Sequence, residues 1–371
     1  MKQTHRRRPG SLPVVTTGKK DRKPPADDKP ELYGRLSKVK DVGVTVFCLV
    51  YNHEKYIREC LDSLVHQNTG FDYKVIVHDD ASTDGSAAIV REFEKNYPDR
   101  IVAIYQTENQ RKGIVKRYIE PIVHSRYVAI CEGDDYWTDP NKLQEQYAAM
   151  EAHPECGMCV HRTLEVTESG EPTGLEHPEQ HFGTGVITPE QLFRTFGKRI
   201  FHTSSFFMRE PYWHAYITDP PEFRKVCPVG DMGMLLYFGS RYGVYQIDKT
   251  MSCYRRGSEY SWSQGRFQKN GEKLIQYHGG VAETFRKFDQ ETEGRYHAFC
   301  VERASSHFYA KSALEGTLRE FLKPANSELL HRLSPAKRAS VYVGSLAPFL
   351  IRRAYLKHVG KYVEEERSRW K

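Results

Sequence analysis

Val44-Thr45-Val46-Phe47-Cys48-Leu49-Val50, followed by Tyr51-Asn52, is an apolar and β-branched run with no polar alternation. Such a run predicts a strand buried on both faces, as in a parallel sheet. Residues 54–67 then set Tyr56, Ile57, Cys60, Leu61, Leu64 and Val65 at helical spacing. Tyr73–Val77 reads as a second strand, and Asp79–Gly85 as a turn into a helix near 85–97. Ile101–Tyr105 is a third strand, residues 114–124 a helix, and Tyr127–Cys131 a fourth strand. Alternating strands and helices predict an α/β fold with a mostly parallel central sheet flanked by helices. Ligands of such sheets sit outside the carboxyl ends of the strands. Tyr51-Asn52, His78-Asp79-Asp80 and Glu132-Gly133-Asp134-Asp135 all fall there, so three distant clusters are expected on one rim.

Downstream the pattern is mixed, with short strands expected at Gly157–Arg162, Ser204–Met208 and Gly243–Ile247 and a helix near 231–238. After Trp262 the chain reads as mainly helical. The expected organisation is a basic disordered tail over 1–40, an α/β domain over 41–265 and a helical C-terminal extension over 266–371. Of the 371 residues, 39% are hydrophobic, enough for a sizeable core, which excludes full disorder. No run of 18 apolar residues is present to cross a bilayer, and the N-terminus lacks the apolar stretch of a secretory signal. The expected location is cytoplasmic.

The net charge of +7 is unevenly spread. Residues 1–40 hold 12 Lys and Arg against 4 Asp and Glu, and residues 335–371 hold 9 against 3. The rest carries 34 against 41, so the body is mildly acidic, which argues against a nucleic-acid partner. The basic ends suit either an anionic membrane surface or plain solvation. Eight scattered cysteines fit reduced thiols better than a disulfide framework. His153-x2-Cys156-x2-Cys159-x-His161 could be read as a zinc site, but no second cysteine pair follows and Gly157–Arg162 reads as a buried strand.

Glu132, Asp134 and Asp135 put three carboxylates within four residues past a buried strand. Unpaired, they would repel and raise one another's pKa. A divalent cation relieves that, and oxygen-only ligands favour Mg²⁺ or Mn²⁺. Mg²⁺ takes one or two protein carboxylates and completes its shell with water and phosphate, so the cluster reads as half of a metal–diphosphate site. The plain alternative is a solvated acidic turn. In the second cluster, Asp80 could accept hydrogen bonds from a base or ribose, while Asp84 and Thr83 could simply cap the next helix. No glycine-rich dinucleotide or P-loop motif follows the first strand.

These residues match a known pattern. Val44 to Tyr147 resembles glycosyltransferase family 2, enzymes of the GT-A fold. The resemblance rests on Tyr51-Asn52, Leu61-x-Ser63-Leu64 with Gln67, and Asp79-Asp80-Ala-Ser-Thr-Asp84. It continues through Glu132-Gly-Asp134-Asp135-Tyr-Trp and Asp139-Pro140-x-Lys142-Leu143. Downstream, Gly230-Asp231, Ile247-Asp248, Tyr254-Arg255 and Ser261-Trp262-Ser263 are similar to later family segments, so the likeness spans roughly 43–265. It implies transfer of a sugar, with inversion, from a nucleotide-diphosphate donor (a UDP-sugar favoured) to a saccharide or lipid-linked saccharide acceptor in cell-surface polysaccharide assembly. Asp80 resembles the residue that reads the nucleobase, with Asp79 beside it. Asp134 and Asp135 resemble the metal–diphosphate pair, with Asp135 the direct ligand, and Asp231 the general base. For Asp231 the alternative is a helix N-cap.

Two departures stand out. Glu132 replaces the family's usual Asp, and its longer side chain shifts its expected contact to ribose or a bridging water. No His follows Tyr254-Arg255, so Arg255 or Arg256 is expected to neutralise phosphate instead. Arg111 and Lys112 are weaker phosphate candidates, for which plain solvated side chains are the favoured alternative. Phe201–Phe207 is expected near the acceptor cleft, where its aromatics could stack on a sugar or pack in the core. Val341–Ile351 is apolar and then basic at Arg352, Arg353, Lys357 and Lys361, which fits peripheral contact with the inner membrane face or a packed helix. Two other readings remain: a nucleotidyltransferase on the same sheet and metal, and an inactive nucleotide-sugar-binding module.

Overall fold

A computed structural model describes residues 42–197, 199–257 and 271–370. The expected tail over 1–40 and the Ser261-Trp262-Ser263 segment lie outside the described residues. The first half alternates as the sequence predicts: β1 (Val44–Val50), α1 (Ile57–Val65), β2 (Tyr73–Asp79), α2 (Ser86–Asn96), β3 (Ile101–Tyr105) and β4 (Tyr127–Ile130). The helix expected over 114–124 is instead a π turn at Val115–Ile119 followed by a 3₁₀ turn at Glu120–Ile122. Pro121, which has no amide proton to donate, lies in that 3₁₀ turn. β5 (Tyr136–Trp137), α3 (Lys142–Ala152), β6 (Cys156–Val166), β7 (Pro172–His177) and β8 (Gly185–Ile187) follow. Next come α4 (Pro189–Arg194), β9 (Phe207–Arg209), α5 (Glu210–Thr218), α6 (Glu222–Val226), α7 (Gly230–Arg241) and β10 (Gly243–Arg255).

One sheet runs β3-β2-β1-β4-β9-β6-β10-β5, with β7 on β6 and β8 on β10. β3, β2, β1 and β4 are mutually parallel, β9 is antiparallel to both β4 and β6, and β10 is parallel to β6. Every β1 residue but Leu49 is buried, as expected of a strand covered on both faces. Val44, Val46, Cys48 and Val50 pack with Ile57, Cys60, Leu61 and Leu64 of α1. Phe47 belongs to the core on the other side, which gathers Trp213, Leu235 and Phe285 from much later elements. Cys156 and Cys159 are buried in the first of these cores, and His153 packs its ring on Tyr245 instead of joining them.

The described C-terminal residues are helical: α8 (Gly271–Glu291), α9 (His297–Glu315), α10 (Ser327–Arg332), α11 (Pro335–Leu346) and α12 (Pro348–Trp370). Phe285 and Phe288 of α8 and Cys300 and Ala304 of α9 join the sheet's own core, so these two helices complete the α/β body. Leu318, Phe321, Leu333 and Val341 form a small separate core beyond them.

Candidate active site

Two loops at the carboxyl end of the sheet are laced together. Asn52, after β1, accepts from the Thr83 amide at 2.8 Å and donates its own amide to Ser82 Oγ at 3.0 Å. Asp84 accepts from the amides of Glu54 and Ser86, each at 3.0 Å. Asp84 thus holds the first amide of α2 from the residue before the N-cap, which is Gly85 and not Asp84 or Thr83, and Thr83 is held by Asn52. Asp79 is buried; Oδ2 takes the Ser82 amide at 3.3 Å and Oδ1 has no partner among the described residues. Burial raises its carboxyl above the usual range, against the lowering effect of Ser82. Beneath it, His78 is buried, pairs with the Gln106 side chain at 3.1 Å and is pushed down to about 4 by desolvation. Asp80 accepts from the amides of Gln110 at 2.8 Å and Arg111 at 3.3 Å. Its carboxylate therefore organises the loop after β3 while lone pairs remain for a ligand.

The acidic turn after β4 is braced from behind. Asp135 is almost fully buried, and its Oδ1 accepts from the Arg255 amide at 2.9 Å. Burial, then the charges of Asp134, Cys131 and Glu132, push its carboxyl well up. The Arg255 side chain is buried too. Its Nε donates to the Asp134 carbonyl at 3.1 Å, Nη1 to the Glu168 carbonyl at 2.8 Å and Nη2 to Glu59 Oε2 at 2.6 Å. Its guanidinium also lies over the rings of Tyr56 and Tyr136. Arg255 is thus a brace of the acidic turn, not the open phosphate ligand that the missing His suggested. Arg256 likewise turns away, to Glu165 at 3.0 Å. Trp137 is fixed by Ser204 and by the buried Lys142, whose Nζ sits 3.8 Å from the indole centroid.

Glu132 faces solvent, yet its carboxyl is raised to about 8, by the protein crowded round it and then by the charges of Asp134 and Asp231. Asp231 therefore lies within electrostatic reach of the acidic turn, although 96 residues separate it from Asp135. Helix α7 begins at Gly230 with Val229 as its N-cap. Asp231 is therefore in the first turn, not at the cap, and its Oδ1 accepts from the Met232 amide at 2.6 Å. The helix N-terminus favours the ionised form.

His202 was not singled out as a site residue from the sequence. Its Nδ1 lies 3.7 Å from Asp135 Oδ2 and accepts from the Ser204 amide at 3.3 Å. Its ring stacks on Tyr254 at 4.2 Å, and burial keeps it neutral. No local signal marks it, because the contact joins residues 67 apart. Phe201, Phe206 and Phe207 around it are fully buried, so they pack in the core and do not line a sugar site. Among the described residues no three His, Cys, Asp or Glu side chains converge as a complete metal cage. The donor set that is present, Asp134 and Asp135 with Oδ2 of Asp135 facing an imidazole nitrogen, fits a hard cation that takes its remaining ligands from phosphate and water.

Residues 45–214 match the model of glycosyl transferase family 2. An uncharacterised protein of Mycobacterium tuberculosis is 30% identical over 223 residues, 59% of this chain and 60% of its own. The poly(ribitol-phosphate) beta-glucosyltransferase of Bacillus spizizenii is 37% identical over 95 residues, 25% of this chain and 15% of that enzyme. The chain thus spans less than two-thirds of these curated relatives. A crystal structure of residues 1–349 of S. aureus TarS with UDP covers 86% of this chain and 91% of that one, with TM-score 0.52 and 15% identity. The fold is GT-A, as the sequence resemblance implied.

Proposed function

We propose that this protein is an inverting glycosyltransferase that moves a sugar from a nucleotide-diphosphate donor to an acceptor hydroxyl in cell-surface polysaccharide assembly. The observation that carries most of this reading is geometric: Asp79, Asp80 and the Asp134–Asp135 turn gather at the carboxyl ends of the parallel strands, with Asp231 in the first turn of α7. It supports one cleft with a diphosphate end and a base end. In it Asp80 and Asp79, with Tyr51 and Asn52, would receive the nucleoside of a UDP-sugar, and Glu132 the ribose or a bridging water.

Asp231 is the base in this reading. As the acceptor oxygen bonds to the anomeric carbon, its proton passes to the Asp231 carboxylate and the bond from that carbon to the diphosphate oxygen breaks. Attack opposite the leaving group inverts the centre. The base supplies about 10²–10⁴-fold. A divalent cation, Mg²⁺ or Mn²⁺, held by Asp135 and Asp134, would stabilise the charge on the departing diphosphate. Arg255 acts as a positioning residue that keeps these carboxylates aimed at the cleft.

A panel of nucleotide sugars with Mn²⁺ tests the activity. Release of nucleoside diphosphate supports glycosyl transfer. Release of pyrophosphate would point to nucleotidyl transfer, and tight binding without turnover to an inactive module. We also propose peripheral contact with an anionic membrane, supported by exposed apolar and basic residues on α11 and α12. No helix among the described residues is long and apolar enough to cross a bilayer.

A further inference from the structure

A second feature of the cleft is unused by this mechanism. A cavity of about 390 Å³ opens between the loop after β3 and helices α5 and α6. Arg111, Lys112, Lys116, Arg224 and Lys225 line it, and no carboxylate does. Lys225 pairs with Glu222, but among the described residues no carboxylate pairs with the other four. Buried Tyr216 is also on the wall, its hydroxyl without a well-formed hydrogen bond among the described residues. The Arg224 guanidinium lies 5.6 Å from that ring's centroid and acts on the phenol.

The cavity borders both ends of the proposed site. On one side, the Arg111 amide is held by Asp80. On the other, a Cβ added at Gly233 would stand 2.8 Å from the Tyr216 hydroxyl and 3.1 Å from Arg224 Cδ. The first turn of α7, which carries Asp231, is thus packed against the cavity wall. Asp231 accordingly acts electrostatically on Tyr216. With five basic side chains and no carboxylate in its lining, the cavity carries an excess of positive charge that favours an anion.

We infer that this cavity binds a phosphate group of the acceptor, so that the protein glycosylates a phosphate-bearing polyol or saccharide polymer. The inference rests on the glycosyl-transfer reading of Asp231. The donor's diphosphate is already provided for by the Asp134–Asp135 side, and the cavity wall at Tyr216 and Arg224 packs against the first turn of α7, which carries Asp231. A phosphate held there would set a neighbouring acceptor hydroxyl beside Asp231.

The test is a titration of the full chain with a short poly(glycerol phosphate) oligomer, alone and with saturating UDP and Mn²⁺. The expected result is salt-sensitive binding that persists when UDP is bound. The double variant Lys116→Glu/Lys225→Glu should weaken the oligomer by about tenfold or more while UDP affinity stays within about twofold. Retained UDP binding also shows that the variant folds. Displacement of the oligomer by UDP and Mn²⁺ would assign the cations to the donor and overturn the inference. So would equal binding of an uncharged polyol, or an unchanged oligomer affinity in the variant. Failure of the wild-type chain to bind UDP at all would instead overturn the reading beneath it.

Discussion

Asn52, Ala81 and Arg111 hold left-handed φ angles of 55°, 61° and 57°. Each lies in a loop at the rim of the candidate site, where the backbone must turn sharply to bring side chains or amides inward. The left-handed region costs an L-residue roughly 1–2 kcal/mol, and Asn tolerates it best. The cost is offset locally: Asn52 is tied to Thr83, and the Arg111 amide to Asp80. His78 adds a pH signature beneath this rim. Its pKa is depressed to about 4 by burial, below the unfolded value of about 6.5. The unfolded chain therefore binds more protons over that window. The contribution is present above about pH 6.5 and is lost as pH falls towards 4, on the order of 3 kcal/mol at most. Denaturant melts of wild type and His78→Gln across pH 4–7 should show a shallower pH slope in the variant. Parallel slopes would mean that His78 does not titrate in this way.

At the scale of elements, β10 carries the brace. Its last residue, Arg255, reaches back under the turn after β4 and fixes Asp135 through a backbone bond and Asp134 through a side-chain bond. Arg255→Ala should lose on the order of 3 kcal/mol of stability, since it removes a buried charge-assisted network. It should also raise the KM for a nucleotide sugar. Thermal melting with steady-state kinetics checks both, and an unchanged KM would deny Arg255 its positioning role. The parallel half of the sheet was readable because β1 to β4 are short, largely apolar and β-branched runs. β10 was not: only Gly243–Ile247 reads as strand, since Asp248-Lys249-Thr250 interrupts the pattern, yet the strand runs on to Arg255 with irregular pairing to β6. The acidic clusters at the rim were visible from position alone, because carboxyl ends of parallel strands share a side. The brace by Arg255 and the approach of His202 to Asp135 were not, because each is a tertiary contact with no local periodicity behind it.

For the molecule as a whole, the C-terminal helices give a surface with no inward use. Tyr342, Val343, Leu346, Phe349 and Leu350 are exposed, Leu346 at 89%. Pro348 ends one helix and begins the next, where Pro is tolerated in a first turn. Val341 is buried, so the segment is part packed and part exposed. Residues 335–361 contain no Asp or Glu, and exposed Arg352, Arg353 and Lys357 follow the apolar tip. Apolar insertion with basic flanks suits an anionic bilayer. Sedimentation with anionic vesicles at low salt should carry the chain down, and Leu346→Asp/Phe349→Asp should release it. Indifference to the vesicles would refute the contact. The central claim concerns the cleft, in which distant carboxylates serve one reaction. It is tested most directly by measuring nucleoside diphosphate release and donor affinity together in Asp231→Asn. The account predicts turnover down by about 10²–10⁴-fold with donor affinity unchanged. A variant that turns over near the wild-type rate with its true acceptor would contradict it.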